Sequence, residues 1–426
     1  MLDRKFIRQE AELVRKAIAD KRESADLDAF LDLDRRHLDL IREVEELQAE
    51  RNRASESINR MKKSGEDAGE AIAKTRELSQ RTKELETEQS RLEEELRELQ
   101  LTFPNIPHED VPRGGEEDNL FVRDWGTPLT EPDFELKPHW DIGEELGLLD
   151  LERGAKVAGS GFPLITGDGA RLQRALISFM LDTHREAGFR ELIPPLLVND
   201  MAATGTGQLP KSADQMYRTA IEGHWLIPTA EVPVTNMYAG EILSAEDLPR
   251  YFQAYTPCFR REAGAHGKDT RGLLRVHQFD KVEMVKFVRP ETSAEELESL
   301  VGQAEKILQA LELPYRVMLL ASGDLSFAAT KCYDLEIWSP GIGRWLEVSS
   351  ISNFGDFQAR RANIRFRPGE REKPKFLHTL NGSGVALARL MAALLETGLT
   401  PLGKVRIPEK IRPYMGGQAF LEKEEV

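Results

Sequence analysis

FRREAGAHGKDTRGLLRVHQFDKVE, residues 259–283, is the stretch from which the fold can be read. Arg260 and Glu262 stand two apart at the end of an apolar run, and a loop bearing Gly264, Gly267 and Gly272 follows. Arg275, Phe279 and Glu283 then recur at every fourth position. The flanking segments AYTPCFRRE and RVHQFDKVEMVKF are rich in β-branched and aromatic residues, which predicts an antiparallel hairpin. Residues two or four apart on a strand share a face. Arg260 with Glu262, and Phe279 with Glu283, are therefore expected to offer one surface a guanidinium for a phosphate or carboxylate, a carboxylate for an amine and a ring for stacking. On these residues alone, a surface hairpin closed by a cross-strand salt bridge competes with that reading.

Segments on either side extend the pattern. Residues 169–187 read as a helix, with Leu172, Leu176, Phe179 and Met180 on its apolar stripe, running into the strand-like GFRELIPPLLV. The prolines there belong at a sheet edge, and taken alone the segment reads as ordinary core. Thr229, Ala230 and Glu231 lie between prolines; a carboxylate beside a threonine hydroxyl suits an α-ammonium, and a helix N-terminus is an equal reading. RWLEVSSISNF places Glu347 on a strand with Ser349 and Ser350 just beyond, oxygens that can hold Mg²⁺, although a strand Glu is more often a solvent-face residue. Residues 380–384, LNGSG, read as a strand ending in a glycine turn that lets backbone approach a nucleotide, with Arg389 in the first turns of the next helix. Neither GxGxxG nor GxxxxGK[ST] occurs, so neither a dinucleotide fold nor a P-loop is expected.

The spacing FRxE, loop, RxxxFxxxE resembles motif 2 (about 255–285) of the class II aminoacyl-tRNA synthetases, in its seryl-tRNA synthetase form. Residues of about 171–197 and 378–396 are similar to motifs 1 and 3, and Asn353, Phe354, Gln358, Arg360 and Arg361 continue the match. The resemblance implies an α+β protein: an N-terminal antiparallel coiled-coil hairpin plus a class II catalytic domain on a mixed, mainly antiparallel sheet flanked by helices. It implies ATP-dependent activation of L-serine to seryl-adenylate and transfer to tRNA(Ser), with tRNA(Sec) an open second acceptor. By motif position, Arg260 would bridge the serine carboxylate and α-phosphate, Glu262 take the adenine amine and Phe279 stack on the ring. Arg389 would hold the γ-phosphate, Arg271 act as a second clamp, and Glu347 and Ser350 bind Mg²⁺, with Arg260, Arg389 and Glu347 the catalytic set. Arg261, Val276, Val348 and Ser349 complete the implied ATP site. Thr229, Ala230 and Glu231 would meet the serine ammonium, and Glu283, Ser383 and Asn381 the rest of the amino acid. The chain departs from the pattern at Arg261, where a small residue is usual, and at Ala388, where the class has Glu.

Upstream the signal is different. Leu33, His37, Leu40, Val44, Leu47, Arg51, Ala54, Ile58 and Met61 follow steps of four and three, as do Ala71, Thr75, Leu78, Thr82, Leu85, Gln89, Leu92, Leu96, Leu99 and Phe103. With only SGEDAG between them, two heptad helices must fold back on each other, over about 28–104, with arms of roughly 45–50 Å. A shorter amphipathic helix is expected after Asp3 as N-cap. Arg51, Arg53, Arg60, Lys62 and Lys63 gather near the tip against Glu56 alone, whereas 84–100 is strongly acidic. Basic groups at the end of a rigid rod suit phosphate contacts, and in the family resembled this hairpin holds the tRNA. Prolines and glycines in FPNIPHEDVPRGG end the heptads, giving domains 1–108 and 109–426.

The composition sets outer limits. A net charge of −15 repels polyanions overall, so RNA must be met by a local patch. Two cysteines, Cys258 and Cys332, argue against a disulfide scaffold and a Cys-based zinc site and fit a reducing cytoplasm. No apolar signal region or run near twenty residues occurs, so no membrane span is expected. A homodimer through motif 1 is implied. Two rivals remain: a homologue that adenylates a small amino acid for a carrier protein, which would lack the arm, and a non-catalytic coiled-coil RNA-binding protein.

Overall fold

The computed structural model describes residues 1–130, 132–263 and 271–423, so Gly264 and Gly267 of the motif 2 loop lie outside the described residues. The chain divides into two compact units, Leu2–Pro104 and Asn105–Val426.

In the first unit two long helices, α1 (Leu27–Ser64) and α2 (Gly69–Gln100), run antiparallel. At 1.5 Å per residue they span about 57 and about 48 Å, the first longer than the heptads alone suggest. Asp26 caps α1 by accepting the Ala29 N–H at 2.9 Å, and Gly65 at φ 76° ends it. Every position of both heptad series is buried or half-buried. Two buried polar side chains face charged partners: His37 lies 3.1 Å from Glu93, and Asp34 takes Arg8 at 2.6 Å. Asp3 caps the opening helix as expected, but that helix breaks at Glu10 into Arg4–Gln9 and Ala11–Asp20.

The second unit is built on eight strands: β1 (Leu120–Trp125), β2 (Arg190–Leu192), β3 (Arg250–Phe259), β4 (Gln278–Val288), β5 (Tyr315–Leu319), β6 (Lys331–Ser339), β7 (Arg344–Asn353) and β8 (His378–Ala386). They lie in the order β1-β5-β6-β7-β8-β4-β3-β2, every pairing antiparallel except the parallel β2 with β3. Long connections place helices α3 (His139–Glu145), α4 (Gly167–Glu186), α5 (Glu231–Asn236), α6 (Ser293–Ala310) and α7 (Leu387–Thr397) around the sheet. Leu300, Val301, Ala304, Ile307 and Leu308 of α6 are fully buried in the main core with Leu176 and Met180 of α4 and Leu390 and Met391 of α7. Each large side chain so buried contributes about 1.5–3 kcal/mol.

The sheet corrects two local expectations. β3 stops at Phe259, so Arg260 and Glu262 lie beyond the strand and the two-residue rule does not govern them. Glu262 sits in the left-handed region at φ 47°. The NGSG segment is not a turn: it lies within β8, paired with β7 on one side and β4 on the other. A register shift between Ser383 and Val385 bulges the strand, with Val385 at φ 146°. Its glycines are required by packing: a Cβ on Gly382 would stand 2.9 Å from Ile351, and one on Gly384 2.5 Å from Nε2 of His184.

Candidate active site

One cavity of about 510 Å³ opens on the sheet, with Arg260, Val276, Phe279, Lys281 and Glu283 on one wall and Glu347, Val348, Ser350, Asn381, Ser383 and Arg389 on another. Thr206, Gly207, Gln208, Gln215 and Met216 close it from the segment before α5, and Thr229 and Glu231 lie at its base.

The hairpin supplies the first wall. Arg260 leaves β3 with its backbone N–H on His277 O at 2.9 Å, so the ladder register still orients it. Its guanidinium sits 5.1 Å above the Phe279 ring and donates through Nε to Pro228 O at 3.3 Å. Opposite Glu283 on the sheet stand Ala254 of β3 and Ser383 of β8. The bulge on β7, where Val348 is the extra residue, brings Glu347 and Ser350 to the cavity together although they are three apart. Arg389 donates to Glu347 O at 2.8 Å, meets its carboxylate at 3.3 Å and donates through Nε to Leu274 O at 3.2 Å.

At the base, buried carboxylates are held by a directed chain. The Glu231 N–H donates to Thr229 Oγ1 at 3.2 Å, and that hydroxyl donates to Glu283 Oε2 at 2.7 Å. Gln358 donates to Glu231 Oε1 at 2.6 Å while accepting Thr379 Oγ1 at 2.7 Å. Burial first, then the nearby charge of Glu283, pushes the Glu231 carboxyl up to about 7. Glu231 opens a helix, as the helix reading expects, and also lines the cavity. Asp334, across from Ser350 on β6, is held well above the usual carboxylate range by desolvation and then by Glu347.

Other sequence-derived candidates lie off the cavity wall. Glu262 pairs with Arg275 at 2.8 Å, a salt bridge between the two legs of the loop beyond the strand ends. The Arg261 N–H donates to Gln215 O at 2.8 Å. Arg271 stacks 4.8 Å over Trp140 and faces Asp141 at 3.4 Å. Ala230 is buried in a neighbouring apolar cluster, and Ser349 turns away to donate to Ser383 O at 2.6 Å, tying β7 to β8.

Both described legs of the motif 2 loop are pinned. The Ala263 N–H donates to Gln215 Oε1 at 3.1 Å, and Gln215 Nε2 donates back to Ala263 O at 3.2 Å. On the return leg the Leu273 N–H donates to Nε2 of His139 at 2.9 Å, and Nδ1 of that buried ring lies 2.8 Å from Glu396. Behind β8, His184 of α4 is fully buried and burial pushes its ring down to about 4, so it is neutral at pH 7.

Sequence reasoning passed over Lys281, although the period that places Phe279 and Glu283 on one face places Lys281 there too. It also left the loop anchors Gln215 and His139 unassigned, since each acts through contacts remote in sequence. On the helical hairpin, Arg53, Arg60, Lys62 and Lys63 are exposed and Arg51 is half-buried. Arg76 and Lys83 of α2, unremarked in the sequence, line an open groove of about 370 Å³ beside Ile58 and Ile72.

Residues 217–398 match the tRNA synthetase class II core domain (G, H, P, S and T), and residues 1–107 the seryl-tRNA synthetase N-terminal domain. A serine–tRNA ligase of Pelobacter propionicus is 53% identical over 419 residues, covering 98% of this chain and 99% of its own. One of Caldanaerobacter subterraneus is 55% identical over 417 residues, covering 97% and 98%. The crystal structure of seryl-tRNA synthetase from Pyrococcus horikoshii complexed with ATP superposes over 100% of both chains with a TM-score of 0.94 at 39% identity.

Proposed function

This chain belongs to the seryl-tRNA synthetase family, and on that premise we propose how its residues divide the work of activating L-serine with ATP and passing the seryl group to tRNA(Ser). The observation that carries the assignment is convergence: Arg260, Phe279, Glu283, Glu231, Glu347 and Arg389 all line one cavity.

In the first step a serine carboxylate oxygen attacks the α-phosphorus and pyrophosphate leaves. In the second a hydroxyl of the terminal ribose attacks the seryl carbonyl and AMP leaves. Neither step needs a protein nucleophile, so alignment and charge stabilisation are the protein's task. Arg260, on the wall with Phe279, bridges the serine carboxylate and the α-phosphate. Phe279 is the shelf for the adenine, and Arg389 holds the γ-phosphate. Glu262 and Arg271 reach the nucleotide only by leaving their present partners, Arg275 and Asp141. Glu347 and Ser350, an all-oxygen pair on one cavity wall, fit Mg²⁺, which neutralises phosphate charge when bound.

Glu231 takes the serine ammonium with Thr229, and Glu283 takes the hydroxyl with Ser383. Glu231 carries a proton below about pH 7 in the free protein, and an ammonium beside it favours the carboxylate. Serine binding should therefore release a proton at pH 6, about one per site, and almost none at pH 8. Calorimetry in two buffers of different ionisation heat reads this directly; a buffer-independent heat at pH 6 would contradict it.

The basic tip of the α1–α2 hairpin takes tRNA phosphates. Exposed Ile193, Leu197 and Met201 following α4 support a homodimer through motif 1. Among the described residues no helix is long and apolar enough to cross a membrane, and we place the protein in the cytoplasm.

The test is pyrophosphate exchange with serine, alanine, threonine and glycine in parallel, followed by charging of tRNA(Ser) and tRNA(Sec) transcripts. Serine-dependent exchange with charging supports the assignment; exchange without charging would favour the carrier-protein reading. Glu283→Ala should lower serine exchange and erode discrimination against alanine, which can reach on the order of 10⁴ at a hydroxyl-binding site. Unchanged selectivity would move the hydroxyl site elsewhere.

A further inference from the structure

We propose that Lys281 sets the selectivity of the serine site by fixing Glu283 as an acceptor for the substrate hydroxyl. This rests on the serine-binding role given to Glu283 above. Lys281 and Glu283 stand two apart on β4 and line the same cavity. The Lys281 ammonium pairs with Oε2 of Glu283, their side chains 8% and 1% exposed. The same oxygen accepts the Thr229 hydroxyl at 2.7 Å. Oε2 is thus occupied by two protein donors, whereas among the described residues no protein donor bonds to Oε1.

An ionised carboxylate only accepts, so a free Oε1 asks the guest for a donor. Serine's hydroxyl supplies one. Alanine's methyl leaves that buried oxygen without a donor, which is the strongest basis a small site has for rejection.

Charge balance explains why a lysine is needed there. Glu231 and Glu283 are buried in one pocket, and Glu231 feels the Glu283 charge. Two such carboxylates resist ionising together. Lys281 compensates Glu283 and leaves Glu231 to meet the incoming ammonium. Without it Oε2 keeps only the Thr229 hydroxyl, the carboxylate is free to turn, and Oε1 is no longer held as the acceptor that demands a hydroxyl. Lys281 therefore acts through Glu283 as a positioning residue.

The experiment compares Lys281→Met, which keeps length without charge, and Lys281→Arg, which keeps charge, in pyrophosphate exchange with serine and alanine. Lys281→Met should raise the serine KM roughly 10²-fold with kcat falling less than tenfold, and should lower the serine-over-alanine ratio of kcat/KM by about 10- to 100-fold. Lys281→Arg should recover most of that ratio. General damage to the fold would lower both amino acids alike, so the ratio separates the two. An unchanged ratio in Lys281→Met, or an arginine variant no more selective than the methionine one, overturns the inference. If the methionine variant is insoluble, Lys281→Gln reads the same ratio. Wild-type protein that fails to exchange with serine would instead overturn the assignment beneath it.

Discussion

Arg260→Ala should lower serine-dependent pyrophosphate exchange by on the order of 10³-fold or more, the largest effect expected of any single substitution here. A single donor aimed at charge that develops in the transition state is worth about 10²–10³ in rate, and a guanidinium offers two parallel donors to two anions. The loss should fall on kcat more than on the serine KM, because in the proposed arrangement Glu231, Thr229 and Glu283 would hold the other end of the amino acid. Among the described residues no acidic side chain pairs directly with the Arg260 guanidinium: it donates to Pro228 O and lies over Phe279. Arg389 differs, since it already contacts Glu347, and its removal frees a carboxylate as well as deleting a cation. Arg260→Lys keeps the charge and loses the fork, and should remain at least tenfold impaired. Exchange within threefold of wild type in Arg260→Ala would show that the two anions are aligned by another group.

Replacing Arg53, Arg60, Lys62 and Lys63 together by serine should reduce tRNA charging at limiting tRNA by on the order of 10²-fold and leave pyrophosphate exchange unchanged. These side chains are exposed near the tip of α1, so no packing is lost with them. The chain as a whole is acidic, so no diffuse attraction replaces a missing local patch. Adding salt to the wild-type protein should reproduce part of the defect, and the variant's charging should depend less steeply on salt. Charging that survives the fourfold replacement would assign RNA binding to other surfaces and leave the hairpin as a structural rod.

How much of this was legible before any coordinates follows from which interactions are local. The coiled coil was readable because its apolar positions recur every three or four residues and nothing else explains them. The hairpin strands were readable by alternation, and that rule brought Phe279 and Glu283 to one wall. Where β3 ends was not, because Glu262 adopts a positive φ that its residue type does not advertise. The bonds that hold this corner come from Gln215, far away in the sequence. The glycines of NGSG suggested a turn locally, yet partners on both sides keep the segment in the sheet, and the space they leave is taken by Ile351 and His184. Lys281 was within reach of the same alternation and was hidden only by the commoner role of lysine as a solvated surface charge.

The contact between His184 and Gly384 has a consequence for how this protein can change over generations. A side chain at 384 finds its space already filled by the imidazole, so the two positions share one fixed volume. A lineage that acquires bulk at 384 must first surrender it at 184, and substitutions there are bound to arise as a linked pair. Because 184 rides on the helix that leads to exposed Ile193 and 384 adjoins Ser383, change at that exposed surface and change in the cavity are tied to the same pair of positions.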